Sequence, residues 1–425
     1  MADAAFPPAA AYPRRVTTTA TRPAGSARLI GLLGPAFVAA IAYVDPGNVA
    51  ANLTAGATFG YLLVWVLVAA NATAVLVQYL SAKLGLVTGS SLPEVLGARL
   101  RTWPRRGFWL QAELVAAATD IAELIGGAIA LRLLFGVPLV LGGAIVGAVS
   151  VALLVVQSRR GQRSFEAVIV ALLAVIAIGF VSGVVVSDVD WGAAAGGLVP
   201  GFEGPRSVVL AASMLGATVM PHAIYLHSAL ARDRHGRSTG ALLQRLLSAT
   251  RIDVLLALLL AGAVNIAMLL LAASSLRDVG GTDTIDGAHA AIGAALGPGI
   301  ATVFAVGLLA SGLASTSVGA YAGGVVMQGL LHVRVPMLLR RTVTLVPGLA
   351  ILAVGSDPTW ALVLSQVVLS FGIPFALVPL VRLTADRGLM GDQVNRPALT
   401  ALAWTAVAAV VALNVVLIVL TVGGA

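Results

Sequence analysis

Asp45-Pro46-Gly47-Asn48 interrupts a run from Leu29 to Thr58 that is otherwise apolar or small. Pro46 supplies no backbone N–H and Gly47 adds backbone freedom, so the four residues open a helix that would otherwise run straight through. The opening brings together a carboxylate, an amide and unpaired carbonyls, a set of oxygen donors that suits a cation. A second interruption follows Gly216, at Ala217-Thr218-Val219-Met220-Pro221-His222, where Pro221 breaks an apolar run as Pro46 breaks the first. There the carbonyl of Ala217 is the one expected to face Asp45, and Met220 adds a thioether. Oxygen donors alone would suit magnesium or calcium. The sulfur tilts the preference toward transition metals such as Mn²⁺ and Fe²⁺, with Cd²⁺ a fitting surrogate. Two blander roles stand beside these: Met220 as core filler and Asp45 as a helix cap.

The next group is acidic. Glu113, Asp120 and Glu123 are spaced so that all three share one face of a helix. Acids at membrane depth need partners or protons, so the stripe reads as a proton relay or as a salt-bridge network. Glu113, nearest the helix end, also fits a solvated residue. Arg340 and Arg341 open a later apolar stretch, and with His222 and His227 they are the candidate partners. If the stretch they open dips into the core, Arg341 can pair with Asp120 or Glu123. His222 can accept a proton, gate the site or cap the helix it opens. His227 lies about 140° further round a regular helix and need not share its face. Gln366, in Ser365-Gln366-Val367-Val368-Leu369-Ser370 and followed by Pro374, either completes the metal's coordination when the site closes or hydrogen-bonds between helices. Ser311, Ser315, Gly319 and Gly323 form a small-residue packing seam; the hydroxyls of Ser315, Thr316 and Ser317 would alternatively suit sodium.

These residues need membrane helices to hold them. The 425 residues are 59% hydrophobic and 10% charged, with mean hydropathy +0.98, whereas a soluble domain carries about 25% charged residues. The composition is that of an all-α polytopic membrane protein. Eleven candidate spans are expected, at 29–57, 60–87, 108–135, 137–157, 164–187, 206–231, 250–275, 287–331, 339–355, 359–382 and 397–423. The eighth is too long for one plain span and is expected to end in a cytoplasmic extension. Residues 1–28 read as a disordered cytoplasmic arm. The broken helices open two sets of five spans, over 29–187 and 206–382, which points to inverted repeats with a midplane site. The eleventh span lies outside them. Arginines such as Arg99, Arg105, Arg160, Arg232 and Arg387 crowd the loops after even-numbered spans, while Asp188, Asp190, Glu203 and Asp286 gather opposite. The bias puts the N-terminus in the cytoplasm and the C-terminus outside. It also accounts for the net charge of +8 as topology rather than a nucleic-acid surface.

There is no cysteine and a single lysine, Lys83. Thiolate sites and disulfides are excluded, and no Walker-type loop or catalytic constellation is visible, so neither ATP drive nor enzyme activity is expected.

Asp45-Pro46-Gly47-Asn48 together with Met220-Pro221-His222 resembles the Nramp family of divalent metal transporters. The likeness extends to Gln78-Tyr79-Leu80-Ser81-Ala82-Lys83-Leu84-Gly85, Thr119-Asp120-Ile121-Ala122-Glu123, Tyr225-Leu226-His227-Ser228 and the segment around Gln366. The resemblance implies two inverted five-helix repeats, like those of amino-acid/sodium symporters, with a peripheral eleventh helix. It implies import of Mn²⁺ or Fe²⁺ with protons by alternating access, across a bacterial inner membrane, by a monomer without a resident cofactor. It carries metal-ligand roles onto Asp45, Asn48, Met220 and the Ala217 carbonyl, with Gln366 joining in closed states. Proton-pathway roles pass to Asp120 and Glu123, supported by His222, Arg340 and Arg341. Ala223 stands where an asparagine is common and Gly372 where a glutamine is common; both bear on gating or proton flow. Met220 argues against the magnesium-moving relatives. The rivals are metal uniport and a sodium-coupled amino-acid symporter on the same fold, whose substrate carboxylate Asp45 would repel.

Overall fold

The computed structural model describes residues 34–422 except 161, 278, 283, 334, 336 and 356, with backbone alone at 156–160, 337–338, 417 and 421–422. The arm expected over 1–28, the first residues of the first span, Asp278, Asp283 and Arg334 lie outside the described residues. Among the described residues the regular structure is helical, with no strand. The order is α1 (Pro35–Ile41), a 3-10 turn (Ala42–Val44), α2 (Pro46–Phe59), α3 (Val64–Thr88), α4 (Leu92–Arg99), α5 (Thr102–Phe135), α6 (Leu139–Arg160), α7 (Gln162–Val186) and α8 (Trp191–Gly196). There follow α9 (Gly204–Thr218), α10 (Pro221–His235), α11 (Gly240–Ser275), α12 (Ile285–Leu296), α13 (Pro298–Leu331), α14 (Met337–Val354), α15 (Pro358–Thr384), α16 (Arg387–Met390) and α17 (Pro397–Val422).

Eight described segments are long and apolar enough to cross a membrane: α3, α5, α7, α9 with α10, α11, α13, α15 and α17. The broken first pair, α6 and α14 are shorter or less apolar and fall outside that test, so length and composition leave the expected eleven uncounted. The chain is a multi-pass membrane protein.

One boundary departs in kind from the sequence reading. The stretch 287–331 keeps a 34-residue helix, α13, running to Leu331 toward the arginine-rich end, but it is not continuous. It breaks near its start, at the opposite end, where α12 stops at Leu296, Gly297 turns the chain with φ 95° and Pro298 opens α13. Glycine takes the left-handed turn without a Cβ clash, and proline at the first helical position loses no internal hydrogen bond. α11 begins earlier than expected because Leu243, Leu246 and Leu247 continue a buried face against Ala82, Leu86 and Ala231.

The interior is organised around α1 and α2, which are buried along almost their whole length. α11 and α13 flank them, α5 packs closely on α13, and α15 lies between α5 and α9. α17 packs at the periphery against α15 and α9. Small residues let these backbones approach. A Cβ at Gly312 would lie 3.0 Å from the backbone of Gly127, and a Cβ on Gly126 would strike Pro46. The two breaks are thereby pressed into the centre of the bundle, the one place where irregular backbone at membrane depth is tolerated.

Candidate metal site and acid network

The first break is local chemistry made visible. The 3-10 turn tightens the end of α1, Asp45 swings to an extended conformation (φ −73°, ψ 169°), and α2 starts at Pro46. Asp45 is the cap that one reading of the sequence requires: its Oδ1 accepts from the Asn48 backbone N–H at 2.7 Å and from Asn48 Nδ2 at 2.8 Å. The cap also faces the second break. There α9 ends at Thr218, Val219 leaves the helical conformation (φ −105°, ψ 68°), Met220 is extended, and Pro221 opens α10. Asn48 Nδ2 donates onward to the Ala217 carbonyl at 3.0 Å, joining the two breaks directly. Gln366 of α15 approaches from a third side, with Nε2 3.5 Å from Asp45 Oδ2. Its amide lies over Gly47, where any Cβ would collide with it.

Asp45, Asn48, Ala217, Met220 and Gln366 are all fully buried. The Oδ1 of Asn48 and the Oε1 of Gln366 have no hydrogen-bond partner. Unpaired oxygens beside a buried carboxylate are costly unless something positive completes them. The arrangement therefore offers a cation a carboxylate, a backbone carbonyl and two amide oxygens. Met220 stands at the break itself, as the N-cap of α10.

Two carbonyls freed by the first break are already taken. Asn265 of α11 donates to the carbonyl of Tyr43 at 2.7 Å, and Ser311 of α13 donates to that of Val44 at 2.6 Å. Asn265 Oδ1 in turn accepts from Asn52 at 2.9 Å. The unwound turn is thus held by side chains, and it is Ala217 on the other break that meets Asn48. Sequence reasoning missed Asn265 and read Ser311 only as part of a packing seam. The seam does pack, but against polar groups: a Cβ on Gly319 would sit 3.1 Å from the Glu123 carboxylate, and Gly323 lies under the Arg340 guanidinium. The Ser315 and Ser317 hydroxyls bond back along their own helix, at 2.7 and 2.9 Å, rather than converging on an ion.

The acids of α5 divide as their depth dictates. Asp120 and Glu123 are buried, and Arg341 of α14 meets Asp120 at 2.8 Å. Glu123 lies beside Ser315, within electrostatic reach of Arg341, Asp120 and Asp45. Glu113 is half-buried and pairs with Arg340 at 3.1 Å, while Arg340 also donates to the Ala320 carbonyl at 3.1 Å. Beyond Arg340 a cavity of about 290 Å³, bordered by Glu94, Arg232, Asp233 and Tyr321, adjoins the arginine-rich end of the bundle.

The two histidines part company. His222 Nδ1 lies 3.5 Å from Thr119 Oγ1, on the residue before Asp120. His227 instead meets Gln78 at 2.8 Å, and Gln78 bonds the Tyr43 hydroxyl, so it is tied to the turn before the first break rather than to the acids. Among the described residues no cluster of three His, Cys, Asp or Glu is built to hold a metal. A site drawing on amide, carbonyl and thioether donors leaves no such cluster. The departure at Gly372 has a local counterpart: a Cβ there would come within 2.9 Å of Gln111 Nε2 and 3.1 Å of Pro221. Gln111 of α5 therefore supplies an amide next to the position where the resemblance leads one to expect it. Nothing in the structure explains Ala223.

At the arginine-rich end a separate set of contacts holds α1. Asp253 of α11 accepts from the backbone N–H groups of Gly34 and Ala36, each at 3.0 Å, and Arg234 of α10 pairs with Glu166 of α7 beside them.

Comparison with known proteins agrees with this geometry. The family model described as natural resistance-associated macrophage protein-like, Nramp, matches residues 36–420. The divalent metal cation transporter MntH of Mycobacterium tuberculosis is 63% identical over 394 residues, covering 92% of each chain. A crystal structure of the Eremococcus coleocola manganese transporter superposes with a TM-score of 0.83 at 33% identity, covering 94% of this chain and 89% of that one. MhsT in complex with L-phenylalanine shares the fold alone, at a TM-score of 0.61 and 13% identity. The broken helices, the extent of the family match and the close relatives lead to one conclusion: this chain belongs to the Nramp family.

Proposed function

We propose that the chain imports Mn²⁺ or Fe²⁺ together with protons by alternating access. The observation that carries this reading is the meeting of Asp45, Asn48 and the Ala217 carbonyl across two broken helices, with Gln366 closing over them. The relatives are named as divalent metal cation and manganese transporters. In this proposal the arginine-rich end faces the cytoplasm by the positive-inside rule. The two helix breaks then head inverted repeats over 29–187 and 206–382, with α17 outside them, and the chain lies in the cell membrane.

A hydrated ion entering from the acidic side meets the Asp45 carboxylate and loses most of its waters. The Asn48 amide nitrogen sits between Asp45 Oδ1 and the Ala217 carbonyl, where a cation would draw on both oxygens. Half a turn of that amide replaces its NH₂ by Oδ1 and completes an oxygen set, to which Met220 adds sulfur. Metal binding requires the ionised carboxylate, so the proton of Asp45 must leave. Glu123 and Asp120 receive it, with His222 beside them. Arg341 and the Arg340–Glu113 pair lead it toward the cavity at the arginine-rich end. His227 acts on the same step from its bond to Gln78, through the turn before Asp45. Release follows when α1 leaves its contacts with Asp253.

The test is uptake by purified protein in liposomes carrying an internal pH dye. Mn²⁺ added outside should enter and acidify the lumen. Metal entry with no proton flux would reduce the mechanism to uniport. The amino-acid symporter has no support in the site, because a fixed carboxylate occupies the break that would have to receive a second one.

A further inference from the structure

α15 contains two internal prolines, Pro374 and Pro379. Each lacks the N–H that would bond the carbonyl four residues earlier, so the carbonyls of Ser370 and Phe375 lose their helical donors. Buried in a membrane protein, each must find another. Both do, outside the helix. The Tyr225 hydroxyl of α10 reaches the Phe375 carbonyl at 3.5 Å. Asn414 of α17 donates from Nδ2 to the Ser370 carbonyl at 2.8 Å, and its Oδ1 meets the Ser370 hydroxyl at 2.7 Å. Asn414 is buried within the apolar run Val410–Ile418, and both ends of its amide are used on one serine.

Ser370 is one helical turn after Gln366. On its other side it abuts α9: a Cβ on Gly216 would lie 3.0 Å from both the Cβ and the backbone nitrogen of Ser370. Gly216 immediately precedes Ala217. The Asn414 amide is therefore one residue contact away from two of the groups proposed to hold the metal. α17, the helix outside both proposed repeats, has its only described buried amide at this point.

We infer that Asn414 is a positioning residue: it replaces the hydrogen bond that Pro374 removes, and so fixes the segment of α15 that swings Gln366 over the ion. The inference rests on the transport reading above. A proline gap with an external donor is a joint that can bend without stranding a carbonyl. Asn414 sets where that joint rests. Its loss acts on closure, in which Gln366 takes part, more than on first capture of the ion by Asp45.

The experiment uses Asn414→Leu alone and combined with Pro374→Ala, which restores the N–H that Ser370 needs. Asn414→Leu should lower the maximal Mn²⁺ uptake rate about five- to tenfold. Mn²⁺ binding by titration calorimetry should stay within about twofold. In the Pro374→Ala background, the same substitution should change uptake by less than about twofold. Because the chain has no cysteine, spin labels at Trp360→Cys on α15 and Ile178→Cys on α7, both exposed, report the hinge without transport. Their distance distribution should broaden in Asn414→Leu and narrow again with Pro374→Ala. If Asn414→Leu does not fold, Asn414→Val carries the same comparison. Unchanged uptake and spin-label distances in the single variant, or an equal loss with and without Pro374, would overturn the inference. Absence of Mn²⁺ uptake in the unmodified protein, with the spin-label shift intact, would overturn the transport reading and leave the hinge standing.

Discussion

Arg341 meets Asp120 with 2.8 Å between Nη1 and Oδ1, and both side chains are buried. Breaking a buried pair leaves a bare charge, at a cost of about 3–5 kcal/mol, whereas removing both partners costs far less. Arg341→Met should therefore lower the thermal unfolding midpoint clearly, and Arg341→Met with Asp120→Leu should recover much of it. If the pair conducts protons, the double variant stays defective in metal-driven acidification although it is stable. Melting curves and the pH dye, measured on the unmodified protein, Arg341→Met and the double variant, separate the two roles.

Gly47 lies beneath the Gln366 amide. Gly47→Ala places a methyl group where that amide sits, and should reduce Mn²⁺ uptake more than about tenfold in folded protein. Gln366→Ala vacates the space. The double variant should therefore transport no worse than Gln366→Ala alone, a non-additivity that uptake assays resolve.

The thioether proposed for Met220 predicts a split between hard and soft ions. Met220→Ala should weaken Cd²⁺ and Mn²⁺ binding about tenfold, or about 1.4 kcal/mol, while Ca²⁺ or Mg²⁺ binding falls by less. Titration calorimetry with each ion measures the ratio. Unchanged Cd²⁺ affinity would remove Met220 from the ligand set.

Asn265 and Ser311 hold the carbonyls of Tyr43 and Val44. Asn265→Leu and Ser311→Ala each strand a buried carbonyl, at a cost of about 1–3 kcal/mol. Both should lower the unfolding midpoint and weaken Mn²⁺ binding together, because the turn they hold places Asp45. A loss of stability with metal affinity intact would confine them to packing.

The part of this architecture legible in the sequence is the part where a residue type is expensive in a membrane. Asp45, Asp120, Glu123 and Arg341 announce themselves because a charge at depth needs a partner, and Pro46 and Pro221 announce where backbone is freed. From those alone it follows that the two breaks face each other and that Arg341 pairs with Asp120 or Glu123; that Asn48 makes the bond to Ala217, and that Arg341 takes Asp120, is settled by the packing. The neutral amides were harder to place. Asn265 and Asn414 each stand alone in an apolar run, and such a residue signals that it has a partner without naming it. Gln78 shows the same limit, since its bonds to Tyr43 and His227 depend on how three helices cross. The turn at Gly297 went unread because Gly-Pro pairs mark both loops and helix starts, and only the burial of Ile292 and Ala301 on separate helices decides it.

The most direct measurement is anomalous diffraction from crystals soaked in Mn²⁺, with data collected on either side of the manganese edge. One strong peak is expected between the two helix breaks, within bonding distance of the Asp45 carboxylate, the Ala217 carbonyl and the Met220 sulfur. A peak elsewhere in the bundle, with those groups turned away from it, would contradict the proposed site.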